Sequence, residues 1–234
     1  MRIGRGILAA LGGLMIAELA GSVYMYRRTM IRCSGKANNR RTIKMSGTDW
    51  NRYMPVIEER KERFLAHNRE DVYLDSEDGL RLHATYFPEG DQKKTVICFH
   101  GYTSQGMKDY IALSDFYLKR GFSMLLVDAR AHGDSEGRYI GFGCLDRRDA
   151  LLWIQWVLDR CGRDTDILLH GISMGAATVL MCTGLELPEQ VGGVVSDCAF
   201  TSPKEVFTHV LHSMYHMPAF PMMEISDWLN RRLA

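Results

Sequence analysis

Four short, unbroken apolar runs punctuate the second half of the chain: residues 95–99 (TVICF), 123–128 (SMLLVD), 166–170 (DILLH) and 192–197 (GGVVSD). Continuous rather than alternating apolarity marks a strand covered on both faces. Between these runs, residues 106–120, 144–161 and 174–184 place apolar side chains at helical spacing. Strands interleaved with helices predict an α/β fold, with a mostly parallel sheet and helices on both faces. Right-handed crossovers would then gather the C-terminal strand ends along one edge, where ligands bind. Upstream, residues 70–88 (EDVYLDSEDGLRLHATYFP) alternate through Leu80, Leu82, Ala84 and Tyr86 after an Asp78-Gly79 turn, which predicts a hairpin. A helix is expected from Asp49, with Pro55 kinking its first half. Beyond Asp197 come two helical stretches, 202–216 and 221–234, with Pro218 and Pro221 between them.

The N-terminus has a different pattern. Residues 6–26 (GILAALGGLMIAELAGSVYMY) are apolar apart from Glu18 and a few small residues. At about 1.5 Å per residue this length matches a hydrocarbon core of roughly 30 Å. The segment therefore reads as an N-terminal transmembrane helix that anchors the protein to a membrane. A cleaved signal peptide is the rival, because Ala20-Gly21-Ser22 loosely fits a small-x-small site. The run straight into Arg27 and Arg28 favours an uncleaved anchor. Arg2 and Arg5 precede it, whereas Arg27, Arg28, Arg32, Lys36, Arg40, Arg41 and Lys44 follow, which places the rest of the chain on the cytoplasmic side. The expected organisation is an anchor over 1–28, a basic linker over 29–48, an α/β core over 49–201 and lid-like helices over 202–234.

Charge and composition narrow the function classes. The 234 residues carry 29 basic and 28 acidic groups, net +1, so the balance implies no nucleic-acid partner. Six cysteines show no paired spacing and no C-x-x-C or C…H ligand pattern, so no structural zinc is expected. No G-x-G-x-x-G follows the first parallel strand, which disfavours a dinucleotide-binding protein.

Three stretches fall at the shared strand edge. The first, HGISMGAAT (170–178), sets Ser173 between Gly171 and Gly175 on a sharp strand-to-helix turn, where side chains two residues either side would clash. Packing glycines on a tight turn would be the plain alternative to a nucleophile. The second, CFHGYTSQG (98–106), ends a buried strand in a turn from which the Tyr102 N–H can pair with that of Met174 as an oxyanion hole. His100, before the glycine, suits a supporting role under the turn. The third, DARAHGDSEG (128–137), is a charged loop whose His132 and Asp134 could be catalytic or could satisfy the loop's own polar groups.

HGYTS, DARAHGDSEG and HGISMGAATVL, in this order and spacing, resemble the α/β-hydrolase superfamily, most closely its bacterial serine-aminopeptidase-like and acyl-esterase-like branch. VVSDCAFTS resembles that branch's sixth strand. The resemblance implies Ser173 as nucleophile, Tyr102 and Met174 as oxyanion donors, a small-molecule acyl substrate, and neither metal nor organic cofactor. It also implies a catalytic Asp after a seventh strand and a His after an eighth, yet only the two helical stretches follow Asp197. The fold is thus expected to lack its last two strands, leaving Val194 and Val195 on an edge open to self-association. Asp197 stands where some relatives take their acid, and His209, His212 and His216 follow it on one helix face. Set against those roles are a helix cap for Asp197 and a partly solvated lid face for the histidines. The reading that results is a serine hydrolase acting on ester or related acyl bonds through an acyl-enzyme at Ser173, impaired by the missing base. A non-catalytic hydrolase-like binder and a fragment of a longer gene product are the alternatives.

Overall fold

The computed structural model describes residues 2–32, 52–89 and 92–233. Most of the expected 29–48 linker and the proposed start of the first core helix at Asp49 lie outside them. The chain divides into two compact units, one of Met1–Ile31 with Thr201–Ala234 and the other of Arg32–Phe200.

The larger unit is built on six strands: β1 (Glu70–Asp75), β2 (Arg81–Phe87), β3 (Lys94–Phe99), β4 (Ser123–Asp128), β5 (Asp166–Ile172) and β6 (Val191–Asp197). They form one sheet in the order β1-β2-β4-β3-β5-β6. β3 to β6 run parallel, while β2 pairs antiparallel with β4 and β1 with β2. The four apolar runs are the four parallel strands. The hairpin turns through Gly79, whose φ of 81° suits glycine, with the Ser76 N–H donating to the Leu80 carbonyl at 2.8 Å.

Helices cover both faces. On one side α4 (Asp146–Cys161) and α5 (Met174–Cys182) pack Trp153, Ile154, Val157 and Val179 against Leu125, Ile97 and Leu169. On the other, α2 (Met54–Leu65) and α3 (Gly106–Leu118) set Phe64, Tyr110 and Tyr117 against Phe87, Val96 and Leu126. The sheet is therefore buried on both faces, as continuous apolar strands require. Pro55 sits in the first turn of α2, not within the body of the helix. A proline there forfeits no intrahelical bond, because the first N–H groups of a helix have no acceptor within it. Among the described residues β6 pairs with β5 alone, and Val195 on it is 39% exposed.

The smaller unit holds α1 (Arg2–Met30), α6 (Pro203–Tyr215) and α7 (Met222–Leu233). Among the described residues no helix is long and apolar enough to cross a membrane, so the transmembrane reading of residues 6–26 finds no support. The segment is helical, but one face of it is covered by protein: Ser22 and Tyr26 are buried, and Gly21 lies 3.5 Å, measured from an added Cβ, from the Met222 side chain of α7. Met25 packs beside Leu211, Met222 and Met223. Arg32, counted above among the membrane-flanking cations, instead donates its main-chain N–H to the Arg138 carbonyl and its guanidinium to the Gly133 and Ser135 carbonyls.

Candidate active site

Ser173 occupies the single position between the end of β5 and the start of α5. Its φ of 53° and ψ of −106° form a conformation that a side chain disfavours, costing on the order of 1–3 kcal/mol. Three constraints hold it there. Its N–H donates to the Asp197 carbonyl at 2.8 Å, and its carbonyl accepts the Ala177 N–H at 3.0 Å. A Cβ on Gly171 would lie 2.1 Å from the Gly175 carbonyl oxygen, and one on Gly175 would lie 1.9 Å from that of Phe99. Both glycines are thus demanded by backbone contact, which explains the G-x-S-x-G spacing. The Ser173 side chain makes no capping bond to α5, so helix capping does not engage its hydroxyl.

The turn after β3 abuts this elbow. A Cβ on Gly101 would stand 3.6 Å from the Cβ of Ser173. His100, fully buried, lies beneath the turn: its Nδ1 is 2.7 Å from the Gly101 carbonyl, and its Nε2 accepts the Ala129 N–H at 3.0 Å. A carbonyl on one side and an amide on the other assign a neutral ring protonated at Nδ1. His100 is thus a strut between two loops. The Tyr102 ring stacks on Phe142 at 5.3 Å. Met174 opens α5, where first-turn N–H groups lack an intrahelical acceptor and the helix end favours negative charge.

Loop 128–137 is held by its own polar groups. Burial alone would raise the Asp128 carboxyl, but the His83 hydrogen bond at 2.8 Å and the Asp134 N–H keep it below the ordinary carboxylate range. Arg130 is clamped between Asp149, at 2.7 and 2.8 Å, and Asp78, which that guanidinium holds down at about 2. Burial pushes the His132 imidazole down to about 3, so it is neutral; its Nδ1 lies 3.0 Å from the Arg130 carbonyl, and its Nε2 accepts the Thr103 N–H at 3.3 Å. His132 is therefore structural, while Asp134 supports the loop through its main-chain N–H and leaves its side chain exposed. His83, Asp128 and Asp134 have ligand-type atoms within 4.8 Å of one another, but the two buried members are already hydrogen-bonded to each other, and His83 also reaches Asp71.

Asp197 ends β6 at the edge where the parallel strands' C-terminal ends gather, in register with Ile172. Its carbonyl anchors the elbow, its side chain is exposed, and the N-cap of α6 is Ser202 rather than Asp197. His209, His212 and His216 belong to the smaller unit and are exposed there. His209 meets the Ser213 hydroxyl at 3.3 Å, and His216 ends α6 in a left-handed conformation. Among the described residues no histidine hydrogen-bonds to the Ser173 hydroxyl; His170, three residues before it, turns to the Tyr117 hydroxyl at 2.6 Å. Residue patterns missed Asp109 and Tyr110 of α3: Asp109 accepts from Gly101 and Ser104 in the turn after β3, and the Tyr110 hydroxyl donates to the Phe99 and His170 carbonyls near the ends of β3 and β5. The seven-residue spacing of Tyr110 and Tyr117 marks one helix face but not what that face grips.

The fold has counterparts in known proteins. The Pyrococcus furiosus esterase Pf2001 is 27% identical, superposing with a TM-score of 0.57 over 70% of this chain and 63% of its own. An α/β-hydrolase from Vibrio vulnificus shares the fold, with a TM-score of 0.53 over 86% of this chain and 74% of its own, at 21% identity. By sequence, YqkD of Bacillus subtilis is 27% identical over 138 residues and Rv2307c of Mycobacterium tuberculosis 29% over 159. The chain spans about half the length of these curated relatives, 45% and 52% respectively. The hydrolase family described as serine aminopeptidase S33 matches residues 90–231, from just before β3 through the elbow and into α7. The chain belongs to that family and, through it, to the α/β-hydrolases.

Proposed function

We propose that this chain carries the nucleophile and oxyanion hole of a serine hydrolase acting on ester or related acyl bonds. The observation that carries the reading is the strained Ser173 backbone between two obligatory glycines at the start of α5. Ser173 Oγ bonds to the substrate carbonyl carbon and gives up its proton to solvent, which returns one to the leaving group, while the carbonyl π pair moves onto oxygen. The Tyr102 and Met174 N–H groups receive that charge, each worth about 3 kcal/mol of barrier in comparable sites. Collapse breaks the bond to the leaving group and yields an acyl-enzyme, which water cleaves to regenerate the serine. Asp197 places the elbow through its carbonyl. Without a base at Ser173, catalysis of this kind falls to roughly 10³–10⁴-fold over water.

A non-catalytic, ligand-binding hydrolase-like protein is the second reading. It is favoured by one observation: His83, His100, His132 and His170 of the larger unit are all engaged elsewhere. A fluorophosphonate probe separates the two. Labelling that Ser173→Ala abolishes supports the hydrolase, and no labelling of the intact protein supports the binder.

A further inference from the structure

An oxyanion hole needs two amides from separate turns held at one spacing. Here the Tyr102 turn leaves β3 and the Met174 turn leaves β5. The β3–β5 ladder ends at the Phe99 and Gly171 pair, short of both. What fixes the spacing beyond the ladder lies on α3.

The Tyr110 hydroxyl, on a fully buried side chain, is 2.8 Å from the His170 carbonyl and 3.2 Å from the Phe99 carbonyl. One proton donor thus bridges the two strands at the point where their turns depart. The Phe99 carbonyl is gripped from its other side by α5, since the missing Gly175 Cβ would fall on it. Burial raises the Tyr110 phenol far above its ordinary range, so it remains a donor at every working pH. The adjacent Asp109 takes hold of the turn itself: Oδ2 accepts the Gly101 N–H at 2.8 Å, and Oδ1 accepts the Ser104 hydroxyl. With the Gly101 N–H fixed toward α3, the orientation of the next peptide, which bears the Tyr102 N–H, is restricted.

We propose that Asp109 and Tyr110 are positioning residues for acyl transfer, setting the gap between the Tyr102 and Met174 amides. This rests on the reading of Ser173 as nucleophile. Tyr117 provides a matched comparison. It lies two helical turns further along the same face of α3, is also buried, and bonds to the same residue, but through the His170 side chain and not a strand carbonyl.

The test uses the full chain and a fluorophosphonate. The Ser173 oxygen–phosphorus bond forms, the phosphorus–fluorine bond breaks, fluoride departs and the serine proton passes to solvent. Tyr110→Phe keeps the ring and should lower kinact about 10- to 100-fold with KI unchanged, the usual consequence of displacing a reacting group by about 1 Å. Asp109→Ala should fall similarly and Asp109→Asn less, because the amide retains an acceptor for Gly101. Tyr117→Phe should lose comparable stability and retain kinact. Equal kinact in Tyr110→Phe and wild type, or an equal loss in Tyr117→Phe, overturns the proposal. Amide NMR supplies the readout independent of reactivity: Tyr110→Phe should move the Tyr102 and Met174 N–H resonances, and Tyr117→Phe should not. If wild type resists labelling while those resonances move, the nucleophile reading fails and the positioning stands. If they stay in place, the positioning itself fails.

Discussion

Replacing Ser173 with glycine should make this protein more stable than replacing it with alanine. At φ 53° and ψ −106° any residue with a Cβ carries backbone strain of about 1–3 kcal/mol, which alanine retains and glycine relieves. Against that, glycine gains freedom in the unfolded chain, costing about 0.5–1 kcal/mol. Little else changes. The serine side chain makes no cap bond, and at the Gly101 turn its Cβ has only ordinary van der Waals contact, 3.6 Å from an added Gly101 Cβ. The net expectation is about 0.5–2 kcal/mol in favour of Ser173→Gly over Ser173→Ala. For a unit of this size that is a rise of about 2–6 °C in Tm. Urea titrations followed by tryptophan fluorescence suit the measurement, because Trp153 is buried in the core beneath α4. Equal midpoints, or a less stable glycine variant, would show that the elbow is unstrained and remove the main support for its functional reading.

Three further outcomes follow from the geometry. Gly175→Ala drives a Cβ to within 1.9 Å of the Phe99 carbonyl oxygen and should cost about 3 kcal/mol or more, whereas Gly192→Ala, with nothing within 4 Å, should be tolerated; comparable urea midpoints for both refute the contact. His132 is held neutral with a folded pKa near 3 against 6.5 for the free side chain, so its contribution is complete above pH 6.5 and declines toward pH 3. His83, whose folded pKa is raised, approaches full protonation in both states as pH drops well below 6.5 and then adds no slope. His170, which burial also lowers, adds slope of the same sign as His132, and Asp128 matters only below the ordinary carboxylate range. Stability should therefore fall by about 1.4 kcal/mol per pH unit on this account between pH 6.5 and about 4.5, and His132→Asn should flatten that slope; an unchanged slope refutes it. Val195→Lys on the open edge of β6 should abolish concentration-dependent association in light scattering, and a mass that ignores both concentration and substitution would show the edge to be harmless.

The four parallel strands and the hairpin could be read from residue patterns because each is a local statement: unbroken apolarity for a doubly covered strand, alternation about a glycine turn for the hairpin. The G-x-S-x-G stretch was equally legible, since its glycines answer to backbone contacts within five residues and one neighbouring strand. The structural role of His100 followed from its place before Gly101, under a turn. What escaped was decided by helix faces meeting distant chain. Nothing near Tyr110 reveals that its hydroxyl bridges Phe99 and His170. Hydropathy likewise registers the apolar length of residues 6–26, but not that Ser22 and Tyr26 are enclosed by protein. At Arg32 charge counting falls short for a related reason, because it assigns the residue to a surface, whereas three loop carbonyls claim it.

That last residue matters to anyone shortening the protein. The division between the two units falls directly before Arg32, the place a designer would cut to isolate the sheet-bearing part. A cut on its far side would strip the donors from Gly133, Ser135 and Arg138 and loosen the loop that carries His132 against the turn after β3. The shortest useful version of the sheet-bearing part therefore begins no later than this arginine.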